Sequence, residues 1–168
     1  GAWQGPLGAA KDFEVGFIAI ESKALRGSAR PIIAISSEYQ LDTAGMDSLF
    51  LHVIDVAPAL SADEDAVTLT DVARRIQAVL RAADENAALA FDDRLMAAGF
   101  DWEADYSDFQ WIVGDHRLYL VEDMFPKIEA GVIATGVSNV NYELDLNSCS
   151  DYLVANDVLA VRLKGIRE

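Results

Sequence analysis

The chain has 168 residues, 52% hydrophobic and 24% charged, enough apolar material for the core of one domain and too much for wholesale disorder. A single cysteine, Cys149, excludes an intrachain disulfide and fits a reducing cytoplasm, and with only His52 and His116 as imidazoles a zinc centre is not expected. The net charge of −15 opposes unaided nucleic-acid binding, and no apolar run nears the roughly 20 residues of a membrane span or follows a signal-peptide pattern.

In chain order, residues 17–23 read as a strand, followed by a turn over 25–30 in which Gly27 and Ser28 supply the loop chemistry. Pro31 opens a second strand over 32–36. Ser36-Ser37-Glu38 then caps a short helical turn carrying Tyr39 and Gln40, which Gly45 ends. Residues 49–56 are apolar on both faces and therefore predict a central strand, closed by Pro58 and an acidic loop over 61–65. The three strands together read as a meander.

Thr68-Leu-Thr-Asp71 has the form of a capping box, and the helix it opens sets Leu69, Val72, Ala73, Ile76 and Leu80 on one face, with Arg74, Arg75 and Arg81 on its solvated side. Asn86 is read as the cap of a second helix, which turns Ala88, Phe91, Leu95 and Ala98 inward and stops at Gly99. Residues 100–108 are acidic and aromatic but lack a calcium-loop pattern, so they are assigned to a surface loop. Strands over 109–113 and 117–121 flank Gly114-Asp115-His116, which reads as a hairpin connection with His116 exposed at its tip. Residues 140–146 alternate strictly, turning Val140, Tyr142, Leu144 and Leu146 to a core, and a last strand is expected over 158–164. Cys149 is read as a small buried hydrophobe.

The chemistry is concentrated near residues 12–23, Asp12-Phe-Glu-Val-Gly-Phe-Ile-Ala-Ile-Glu21-Ser22-Lys23. In an extended segment alternate side chains share a face, so Glu21 and Lys23 project together with Phe17 and Ala19, opposite Ile18 and Ile20. A carboxylate and an ammonium side by side at a strand's end suit a metal-dependent phosphodiesterase: the carboxylate holds a hard cation such as Mg²⁺, and the lysine steadies a water or a phosphoryl oxygen. Asp12 can return to the site across a tight bend near Gly16. Residues 1–40 carry four basic and four acidic residues, against nine basic and 24 acidic in residues 41–168, so the surroundings of the motif are electrically balanced. Arg26 and Arg30 follow it closely enough to meet phosphates.

Several segments, in order, carry a resemblance: Trp3-Gln-Gly-Pro6, Asp12-Phe13, Ile20-Glu21-Ser22-Lys23, Ile35-Ser-Ser-Glu-Tyr-Gln-Leu-Asp42, Leu49-Phe-Leu-His-Val-Ile54, Arg117-Leu-Tyr-Leu-Val-Glu-Asp-Met-Phe-Pro126 and Val140-Asn-Tyr-Glu-Leu-Asp-Leu146. From Trp3 to about Tyr152 the chain resembles the C-terminal part of a bacterial family of PD-(D/E)XK nucleases of unassigned function, often found near restriction and defence genes. The resemblance implies Asp12 and Glu21 as ligands of Mg²⁺ or Mn²⁺, Lys23 as the residue assisting the nucleophilic water, and Gln40 as a polar neighbour of the site. Lys11 stands where the superfamily name has proline.

The resemblance further implies an α+β fold: a restriction-endonuclease-like core over residues 1–100, with a mixed central sheet and a helix pair, and an accessory β-rich lobe over 101–168. A larger N-terminal region is expected to complete the site in full-length relatives, so this chain alone is expected to be weakly active or inactive. DNA is the expected substrate, held weakly unaided, with restriction or defence proteins as partners and a homodimer as a further expectation. A non-catalytic scaffold in a defence complex is the alternative.

Overall fold

In the computed structural model, which describes residues 2–27, 30–59 and 63–166, the fold is α+β and is built around a mixed sheet. Strand β1 (Phe13–Val15) turns through Gly16 and Phe17 into β2 (Ile18–Arg26), pairing Phe13 with Ile20 and Val15 with Ile18. Gly16 sits at φ +60, left-handed backbone that glycine adopts without a Cβ penalty. Strand β2 continues three residues past Lys23, and Ser28, expected in the turn, lies outside the described residues.

Strand β3 (Ile32–Ile35) leaves the main sheet, so the first half of the chain is not a meander. It pairs antiparallel with β7 (Tyr142–Asp145), more than a hundred residues later, and buries Ile33 and Ile35 while Ala34 faces out. Strand β4 (Ser48–Pro58) lies parallel to β2, with Glu21 opposite Leu51 and Lys23 opposite Val53. Its run of Leu49, Phe50, Leu51 and Val53 is fully buried, as befits a central strand covered on both faces. Each such side chain contributes about 1.5–3 kcal/mol relative to solvent exposure. Part of the acidic loop expected over 61–65 lies outside the described residues.

After β5 (Val67–Thr68) come the expected helices, α1 (Leu69–Ala83) and α2 (Glu85–Ala97). The capping box is present: the Asp71 N–H donates to Thr68 Oγ1 (3.1 Å), and the Thr68 N–H donates to Asp71 Oδ2 (2.9 Å). The Thr68→Ala variant is expected to lose about 1 kcal/mol of stability in urea unfolding; an unchanged midpoint would show that the box contributes nothing. The second helix is capped by Asp84 rather than Asn86, whose N–H donates to the Asp84 carboxylate. The helices are tied by Gln77, which donates to both oxygens of Asp92. The aromatic loop after Gly99 packs on itself, Phe100 stacking on Tyr106 with ring centroids 5.1 Å apart.

The expected hairpin around Gly114 is a single strand, β6 (Gln110–Val121), antiparallel to β4. Ile54 pairs with His116 and Val56 with Val113, so Gly114 and Asp115 together oppose Asp55. That is a β-bulge, which uses the same residue types as a turn. A Cβ on Gly114 would come within 3.3 Å of the Asp55 side chain, which accounts for glycine there. The main sheet runs β1-β2-β4-β6-β5, with the short β8 (Leu153–Val154) also on β6. The boundary expected near residue 100 thus falls between β4 and β6, neighbours in one sheet. Residues expected as a last strand form α3 (Asn156–Gly165) instead.

One face of the sheet carries Ala19, Leu49, Leu51, Val53, Tyr119 and Val121, covered by β3, β7 and the short 3-10 helix Leu146–Tyr152. Cys149 is buried there, and burial pushes its thiol up to about 11. On the opposite face Ile18, Phe50 and Leu118 pack under Val158, Leu159 and Leu163 of α3.

Candidate carboxylate–lysine site

The alternation of β2 delivers what the spacing predicts. Ala19 and Glu21 point into the first core, and the Lys23 Nζ lies 2.8 Å from Glu21 Oε1. Glu21 is only 1% exposed, and its second oxygen, Oε2, is buried with no hydrogen-bond partner. Such a group is costly unless something else satisfies it. Burial is the main cause of the Glu21 carboxyl being pushed up to about 7; Lys23 opposes the shift and the negative charge of Asp12 adds to it.

Asp12 reaches the same site from the start of β1. Its Oδ2 accepts from the Ser22 N–H at 2.9 Å, and its carbonyl accepts from the N–H groups of Gln4 and Gly5. A Cβ on Gly5 would fall 2.7 Å from Asp12 Oδ1, so glycine leaves room for the carboxylate.

The segment between β3 and β4 completes the cluster. Gln40 Oε1 accepts from Lys23 Nζ at 2.9 Å and from the Ser36 N–H at 2.8 Å, so one amide oxygen fixes both the lysine and its own loop. Lys11, buried, donates to the Tyr39 carbonyl at 3.0 Å and ties the Asp12 segment to the Gln40 segment. Glu38, also buried, accepts from the Val140 N–H. Lys11 and Glu38 therefore hold the loop that carries Gln40, a role that sequence spacing did not assign to them.

Arg26 and Arg30 are exposed, and the Arg26 guanidinium lies 4.9 Å from the Trp111 ring centroid. Beside Asp12 an apolar cavity of about 600 Å³ opens between Trp3, Phe13, Ser22 and the inner faces of α1 and α2. Among the described residues no group of three or more His, Cys, Asp and Glu side chains is placed to hold a metal. The donor set is two carboxylates, one of them with a buried unsatisfied oxygen. That fits a hard cation that takes its other oxygens from water and phosphate, the usual manner of Mg²⁺.

His116, expected at the tip of a hairpin, instead lies within β6 and meets His52. His52, on β4 opposite Ser22, and His116, on β6, sit together on the far face of the sheet. The signal was the even spacing of Ser22 from Ile20 and of His52 from Phe50, which puts them on the α3 side; the partner strands were not legible.

A strand-borne acid and lysine beside a second acid, in the mixed sheet of an α+β fold, is consistent with a PD-(D/E)XK protein. The chain belongs to the family described as "Putative PD-(D/E)XK family member, (DUF4420)", whose model matches residues 1–147. No curated protein and no solved structure matches. Among the described residues no helix is long and apolar enough to cross a membrane.

Proposed function

We propose that this chain carries the catalytic site of a metal-dependent nuclease that hydrolyses DNA phosphodiester bonds in a restriction or defence setting. The observation that carries this reading is the buried, unpartnered Glu21 oxygen, placed beside Lys23 and next to Asp12. Asp12 and Glu21 would hold Mg²⁺ or Mn²⁺. When bound, the ion would supply Lewis-acid stabilisation of the charge developing on the scissile phosphate.

The chain's own residues do the rest. Glu21 must be ionised to bind a cation, and a neighbouring positive charge favours that state. Lys23, oriented by Gln40, presents its ammonium where it can hold a water or a phosphoryl oxygen. The Ser22 N–H fixes one oxygen of Asp12, and the carboxylate so oriented would ligate the ion. With a net charge of −15, the grip on DNA is assigned largely to a partner or a further domain, with Arg26 and Arg30 as local phosphate contacts.

Calorimetric titration of Mn²⁺ is expected to show binding to the wild-type chain that disappears in the Glu21→Ala variant. Equal binding by both would remove Glu21 from the site. Absence of binding in both would favour the scaffold reading, in which the cluster survives without its metal.

A further inference from the structure

On the sheet face opposite Glu21, three side chains from adjacent strands form one hydrogen-bonded chain. Ser22 Oγ lies 3.0 Å from His52 Nδ1, and His52 Nε2 lies 3.0 Å from His116 Nδ1. Ser22 and His52 are register partners on β2 and β4, and His116 stands diagonally across on β6, so rigid sheet pairing sets the spacing. The two ring planes lie within 21° of each other with centroids 5.2 Å apart, so the imidazoles meet edge to edge through this hydrogen bond. With both rings neutral, two proton arrangements satisfy the two contacts. In one of them Ser22 donates to His52 and His52 donates to His116, leaving the outer nitrogen of His116 to solvent.

That arrangement has the parts of an activated nucleophile: a hydroxyl, a base within 2.6–3.2 Å of it, and a third group that orients the base. Burial, with the neighbouring imidazole, holds His52 below its ordinary value, so it is neutral near pH 7 and free to accept a proton. His52 turns Nδ1 rather than Nε2 toward the serine, but either nitrogen of a neutral imidazole can be the acceptor. The trio opens on a cavity of about 540 Å³ whose walls include Phe13, Ile20, Leu118, Leu159 and, at the start of α3, Asn156. The apolar walls suit a short apolar acyl group.

We infer that Ser22, His52 and His116 form a second catalytic site, which hydrolyses esters of short apolar acids without a metal. Ser22 Oγ bonds to the ester carbonyl carbon as its proton passes to His52. The adduct then expels the alcohol, which takes that proton and leaves Ser22 acylated. A water, giving one proton to His52, adds to the acyl carbon; the acid departs as that proton returns to Ser22 Oγ. His116 hydrogen-bonds to His52, acts through it, and is a positioning residue. The inference is independent of the nuclease reading, which uses the other face of β2.

The test is reaction of the intact chain with an alkyl fluorophosphonate in EDTA, followed by tryptic peptide mapping. Residues 12–23 form one tryptic peptide, in which Ser22 is the single serine. The expected result is a covalent adduct on that peptide, absent in Ser22→Ala and formed about 10²-fold more slowly in His52→Gln. Hydrolysis of p-nitrophenyl butyrate should follow the same order and ignore EDTA. Absence of an adduct in the wild-type chain, an adduct on another peptide, or ester hydrolysis that survives Ser22→Ala would overturn the inference. The wild-type result decides even if a variant folds poorly.

Discussion

The Glu21→Gln variant is expected to be more stable than the wild-type chain at pH 8 by about 3 kcal/mol in the absence of metal, while losing metal binding. Glu21 titrates near 7 in the fold against 4.5 as a free group. Below pH 4.5 the carboxyl is protonated in both folded and unfolded chains and has no net effect. Between 4.5 and 7 the folded chain still holds the proton that the unfolded chain has released, so stability falls as pH rises, by about 1.4 kcal/mol per unit. Above 7 the full loss is in place, and the buried carboxylate, with Oε2 unpartnered, bears it. The variant stays neutral throughout and escapes this slope.

Urea unfolding of both proteins in EDTA from pH 4 to 8 checks the expectation, since the other carboxylates cancel in the difference. Curves that stay parallel across that window would mean Glu21 is not held near 7. Added Mn²⁺ should narrow the gap at pH 8, because a ligand that binds only the folded chain stabilises it.

The Phe50→Ala variant should lose about 3–5 kcal/mol, a large share of a typical domain's stability. Phe50 is fully buried between Ile18, Leu118 and the apolar side of α3, and its removal leaves a cavity that a sheet cannot close by relaxing. Because α3 rests on this cluster, its amide protons should exchange faster than those of β4 in the same variant. A loss under 1 kcal/mol, or unchanged protection of α3, would contradict the packing of that helix on the sheet.

Sequence alone determined the elements whose signals are local. The alternation of residues 17–23 fixed which side of β2 carries Glu21 and Lys23, because side-chain direction in a strand depends only on its period of two. The fully apolar run of 49–56 marked β4 as central, and Thr68 with Asp71 marked the start of α1, since a capping box closes within four residues. Strand alternation places Glu21 beside Lys23, while the approach of Asp12 and of Gln40 depends on β1 and on the loop after β3.

Tertiary structure decided whatever depended on distant partners. Gly114-Asp115 has turn chemistry, and only the neighbouring strand, by supplying one residue opposite two, makes it a bulge. Residues 158–164 alternate weakly, and burial of Val158, Leu159 and Leu163 against Phe50 accompanies their helical form. The pairing of β3 with β7 spans more than a hundred residues, so no local pattern announces it. The joining of Ser22, His52 and His116 follows from the same cause: a strand's sequence fixes the face of a residue, but only the sheet order fixes which residue stands beside it.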